Sequence, residues 1–180
     1  MIDLCACGHE IKITMDTIIA LVALIVSAVS LGSSVLFWRK SFRPIVTAAV
    51  KTHAATKDII AYNLVLLNSG AIPAKNVVIR AGEASLLKAF GCDATPENKH
   101  SWLACFAEET KIPILHNGDH VACSFGTTQG IDAGFWRYES TITVVIEYAG
   151  WFGTKYKQSQ EIGIVDSDSF TGFMWGKINV

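Results

Sequence analysis

Between Thr17 and Trp38 the chain reads TIIALVALIVSAVSLGSSVLFW, 22 residues without a charge, proline, asparagine or glutamine. Beyond Pro44 the apolar residues instead recur at every second position, in short runs separated by turn residues. The first pattern predicts a helix about 33 Å long, enough to cross a hydrocarbon core of roughly 30 Å. A helix buried in a soluble protein is the alternative, and the charge-free length argues against it. The second pattern predicts strands, whose side chains alternate between two faces.

Seven runs fit that alternation: PIVTAAVKTH from Pro44, DIIAYNLVLLN from Asp58, AKNVVIRA from Ala74, KIPIL from Lys111, HVACSF from His120, STITVVIEY from Ser140 and TKYKQSQEIGIV from Thr154. In DIIAYNLVLLN both faces are apolar, so this strand is expected to be covered on two sides. Asn117-Gly118 lies between two apolar runs, a strong signal for a hairpin in which His116 faces Asp119. Asn68, Gly70 and Pro73 read as turn residues: Asn68 to hydrogen-bond its own backbone, Gly70 to take positive φ, Pro73 to stop the ladder. From Ala81 to Thr110 the rhythm breaks. EASLLKAF and TPENKHSWLACFAEET favour helix, with Thr95 as cap, Pro96 at the first position, and Trp102 and Phe106 four apart on one face. The fold class is mainly β: a sandwich of about seven strands with a short helical insertion, preceded by one transmembrane α-helix. Its parts are a tail at 1–16, the membrane helix at 17–38, a basic segment at 39–43, and the sandwich at 44–166. The insertion spans about 83–109, and an aromatic tail spans 167–180.

The flanks of the apolar run orient it. Arg39, Lys40 and Arg43 follow it at once, and such clusters stay on the cytoplasmic side. The preceding segment carries Asp3, Glu10 and Asp16 against Lys12, which is not the basic start of a cleaved signal, and the run is too long for one. The expectation is a bacterial inner-membrane protein with its N-terminus outside and its sandwich in the cytoplasm. Five cysteines at irregular spacing agree with a reducing compartment. Arg39, Lys40 and Arg43 are expected at lipid phosphates. A net charge of −1 argues against nucleic acid as the partner.

Three stretches carry a resemblance: LVLLNSGAIPAKNVVIR from Leu64, IPILHNGDHV from Ile112, and VVIEYAGWFGTKYKQSQEIGI from Val144. They resemble the immunoglobulin-like sandwiches attached to single anchors in bacterial membrane proteins, and the adhesion-type, CARDB-like domains with a similar Asn-x-Gly-x-x-x-Ala core. The likeness covers residues 58–80 and 112–165 and concerns fold. It implies a non-catalytic module.

The candidate contacts are aromatics beside glycine: Phe135 and Trp136, Trp151 and Phe152, and Phe170, Phe173 and Trp175. Such residues form a binding platform or plug the ends of a sandwich. Trp151 and Phe152, at a hairpin tip, are the leading candidates for contact, with Trp102 in the insertion. In the membrane helix Ala23, Ser27, Ser30, Gly32 and Ser34 form a small-residue stripe suited to helix–helix packing. Cys5, Cys7 and His9 leave three readings open: a mobile tail, an inter-chain disulfide and a metal site short of a fourth ligand. His116, Asp119 and His120 are weak metal candidates around the Asn-Gly turn. Nucleophile-elbow, zincin, phosphate-loop and dinucleotide motifs are missing. The reading is a membrane-anchored binding or assembly module that needs no cofactor and whose partners are the bilayer and a protein or a second copy. The alternatives are a membrane effector that oligomerises on sensing a ligand and a small metal-dependent enzyme.

Overall fold

A computed structural model describes residues 15–151 and 153–166. The chain divides after Ser41 into two units. The first holds helix α1, Met15–Ser41, long and apolar enough to cross a membrane. No α1 residue is buried, and apolar side chains point outward all round it, from Ile18 to Trp38. A helix of that kind needs an apolar surrounding. It runs through Arg39 and Lys40, which sit in its last turn and complement the helix dipole.

The second unit contains β1 (Val46–Ala55), β2 (Ile59–Asn68), β3 (Ala74–Ala81), α2 (Glu83–Ala89), α3 (Pro96–Trp102), a 3₁₀ turn (Ala104–Phe106), β4 (Ile112–Leu115), β5 (His120–Gln129), β6 (Ser140–Ala149) and β7 (Lys155–Ile164). Each of the seven alternating runs is a strand. They form two antiparallel sheets, β1-β2-β5 and β4-β3-β6-β7. Tyr62, Leu64 and Leu66 of β2 share one core with Val77 and Ile79 of β3 and Ile142, Val144 and Ile146 of β6. β2, central in its sheet, also buries Val65 on its other face while leaving Leu67 exposed.

The Asn117-Gly118 turn does not make a hairpin. β4 pairs with β3 and β5 pairs with β2, so the turn carries the chain from one sheet to the other. The turn itself is tight: Asp119 N donates to His116 O at 3.2 Å and Gly118 takes φ +74°. Partner choice was set elsewhere. Proline at 113 has no N–H, which suits a four-residue edge strand bonded on one side only.

Asn68 ties these pieces together. Its buried side chain accepts from Ile45 N at 3.2 Å and Gly70 N at 3.0 Å, and donates to Ile72 O at 2.9 Å and Leu115 O at 3.1 Å. Its backbone exchanges bonds with Gly118 and Asp119. Gly70 is glycine for a different reason than positive φ: a Cβ there would overlap the backbone of residues 43–45.

The helical insertion between β3 and β4 is broken into shorter helices than its sequence suggests. Thr95 caps α3, accepting from Asn98 N at 3.3 Å, with Pro96 in the first turn. The helix then stops at Trp102. The Thr110 hydroxyl lies 2.7 Å from Ala107 O and 3.1 Å from Ala104 O, and such side-chain bonds compete with a continuing helix. Trp102 and Phe106 therefore reach the core from two elements.

Candidate functional site

The two lateral openings of the sandwich differ. On one, β1 and β7 lie side by side and are joined by side chains. Gln160 accepts from Ala48 N at 3.0 Å and donates to Ala48 O at 2.6 Å, and Gln158 Nε2 donates to Val46 O. Thr52 Oγ1 also bonds Asp166 at 2.8 Å. The backbone of edge strand β1 is thus occupied by glutamine amides, which closes that side.

The other opening lies between edge strands β5 and β4 and holds an apolar cleft of about 240 Å³. Alternation builds its walls. Leu64 and Leu66 of β2 and Val77 and Ile79 of β3 form the floor, Val121 and Cys123 of β5 one side, and Ile112 of β4 the other. Ala104 and Cys105 of the 3₁₀ turn, with Thr110, form a partial cover. The cover is held by the Thr110 bonds and by an exposed ion pair from Glu108 to Arg80 at 3.0 Å. Among the described residues no charged side chain lines the cleft.

Two thiols meet there. The interaction of the Cys105 thiol with that of Cys123, with burial second, pushes Cys105 well above its ordinary range, while the Cys123 S–H lies 3.3 Å from Ser124 O. The neighbouring Cys105 thiol lowers Cys123 to about 7, against the upward push of its own partial burial. An apolar cleft with one reactive sulfur at its side can take an aliphatic group, and it can carry thiol chemistry. Its volume exceeds the roughly 150 Å³ that encloses a benzene-sized group and falls short of the 300 Å³ or more of pockets for larger ligands. One or two apolar side chains fit it.

The residues singled out by sequence are dispersed. Phe135 and Trp136 are not surface contacts: both are completely buried. Trp136 stacks on Phe90, meets Phe135 edge-on at 4.6 Å and donates its indole N–H to Phe125 O, so the four aromatics plug one end of the core. Of the two readings of these aromatics, platform or plug, the plug holds for Phe135 and Trp136, because the neighbouring glycines let the backbone close over the rings. A Cβ on Gly134 would strike Gln129 N and Thr127 O.

Trp102 is half-buried against the core. Trp151 is 59% exposed on the β6–β7 turn, with the Lys75 ammonium 4.1 Å from its ring centre. Phe152, Phe170, Phe173, Trp175 and the Cys5, Cys7, His9 group lie outside the described residues. His116, Asp119 and His120 are exposed, and Asp119 Oδ1 accepts from His120 N at 2.8 Å. Among the described residues no three His, Cys, Asp or Glu side chains are grouped to hold a metal. In α1, Ala23, Ser27, Ser30, Gly32 and Ser34 are exposed; the Ser27 and Ser34 hydroxyls donate to Ala23 O and Ser30 O at 2.8 Å. Arg39, Lys40 and Arg43 are exposed as well.

Sequence reading missed the cleft and its thiol pair. The one signal was that Cys123 alternates with Val121 and Phe125 on the inward face of its strand; nothing in the spacing linked it to Cys105.

A family model described as a domain of unknown function (DUF8453) matches residues 11–168. No curated protein matches the chain. The chain belongs to the DUF8453 family, and the matched stretch takes in α1 together with all seven strands.

Proposed function

We propose that this DUF8453 member is a single-pass, membrane-anchored sandwich that acts as a non-catalytic binding module, taking an extended apolar segment of a partner protein at its open edge. The observation that carries the reading is α1: 27 residues, apolar on every side and with none buried, in one family unit with the sandwich. A single anchor confines the module to the bilayer surface, which raises the effective concentration of membrane partners. Arg39, Lys40 and Arg43 favour an orientation with the sandwich in the bacterial cytoplasm and the N-terminus outside. The strand order β1-β2-β5 and β4-β3-β6-β7 supports the immunoglobulin-like reading. The likeness to adhesion-type domains rests on the sequence motifs alone.

The choice of occupant follows from the open edge. β5 pairs with β2 on one side, and Trp136 N bonds Thr127 O on the other, which covers only its far half. The half from His120 to Ser124 borders the apolar cleft. A strand laid there would gain main-chain bonds from β5 and place alternate side chains in the cleft, the usual logic of strand addition. Self-association through the small-residue stripe of α1 is the membrane-side counterpart.

Alkaline carbonate extraction of membranes carrying the full chain tests the anchored reading. The chain should remain in the pellet and be released by detergent. Release by carbonate alone would mean that α1 is covered by protein instead of lipid, and the proposal would fall.

A further inference from the structure

Cys105 and Cys123 enter the cleft from different parts of the fold. Cys105 belongs to the 3₁₀ turn, which packs on β3 of the four-stranded sheet, and Cys123 belongs to β5 of the three-stranded sheet. Both residues line the same apolar space. Neither is fully buried. Among the described residues no lysine, arginine or histidine lines the cleft, and the group beside Cys123 there that favours its thiolate is the Cys105 thiol.

We propose that Cys105 and Cys123 are a reversible dithiol–disulfide site, oxidised by low-molecular-weight disulfides, that ties the helical insertion to β5 across the cleft. The Cys123 thiolate attacks one sulfur of the external disulfide. A Cys123–sulfur bond forms, the external bond breaks, and one thiolate leaves. The Cys105 thiol then gives its proton to a departing thiolate or to water. Its sulfur attacks Cys123, displacing the second small thiol. Two protein thiols are oxidised by two electrons, and one external disulfide is reduced to two thiols. Cys123, the thiol whose ionisation the pairing favours, is the nucleophile, and Cys105 is the resolving thiol. In a reducing compartment the resting state is the dithiol, as expected of a redox-responsive site and not of a structural staple. Closure would fix the 3₁₀ turn over the cleft and bridge the two sheets on the side that the glutamines leave open. The chemistry does not depend on what binds the cleft, so it can fail or succeed independently of the proposed function.

The test uses the full chain in detergent micelles with Cys5→Ser, Cys7→Ser and Cys92→Ser, leaving only the pair, and oxidised glutathione as the probe. Peptide mass spectrometry should find Cys105 and Cys123 joined with no glutathione retained. Cys105→Ser should trap glutathione on Cys123, while Cys123→Ser should slow modification at Cys105 by about tenfold or more. The rate of attack at Cys123 should rise through about pH 7 in the parent and shift toward the ordinary value of 9 in Cys105→Ser. Near-UV circular dichroism checks that each variant is folded. Stable glutathione on Cys123 of the folded parent, or a bridge that forms only in denaturant, would overturn the site.

Discussion

Asn68 shows how much one polar side chain can organise. It is wholly buried, yet all four of its side-chain hydrogen-bonding positions are used, on four different backbone groups. Replacing it with aspartate would turn two donors into acceptors facing the carbonyls of Ile72 and Leu115. Asn68→Asp should therefore lower the unfolding free energy by about 3 kcal/mol or more at neutral pH. Urea denaturation of the folded chain measures this, and a loss below about 1 kcal/mol would show that the network is dispensable. That Asn68 sits in a turn could be read from the sequence, because asparagine, glycine and proline punctuate the loop. That it binds the start of β1 and the end of β4 could not, since those partners lie 23 and 47 residues away. The same limit hid the Cys105–Cys123 pair. It also left Phe135 and Trp136 open between platform and plug, a choice decided by the tight backbone approach at Gly134 that lets them be enclosed.

Among elements, alternation located all seven strands because half-buried strands must write their two faces into the chain. Sheet membership is a different quantity. It depends on which edges of β2 and β3 remain free, and the Asn-Gly turn is compatible with either outcome. The glutamines of β7 were likewise legible only as polar positions on a half-exposed strand. Their use is to occupy the exposed edge of β1, a protection against unwanted pairing. Gln160→Ala removes both bonds to Ala48 and should cost about 1–2 kcal/mol. It should also make the protein associate through β1, visible as growth in light scattering; an unchanged monodisperse signal would remove the protective role. In α1, Ser27→Leu with Ser30→Leu fills the small-residue face and should abolish any cross-linkable oligomer in membranes, whereas unchanged cross-linking would place self-association elsewhere.

For the molecule as a whole, the asymmetry of the sandwich matters more than any single residue. One lateral side is stitched by Gln158 and Gln160; the other is left open, apolar, and bordered by the near half of β5. In the proposed function α1 would confine that open side's search for a partner to the bilayer surface. The insertion, tied down by Thr110 and Glu108, sets how far the cleft is covered. In the proposed function the module works without bond chemistry, and its specificity would lie in the side chains that reach the cleft. The most direct measurement places a photo-cross-linking amino acid at Ala122, exposed on β5 at the rim of the cleft, or at Ser159, exposed on β7, in the full chain within native membranes. A discrete adduct from Ala122, lost with Val121→Arg and missing from Ser159, is the expected result. Adducts from Ser159 alone, or from both positions and insensitive to Val121→Arg, would contradict the open edge as the binding site.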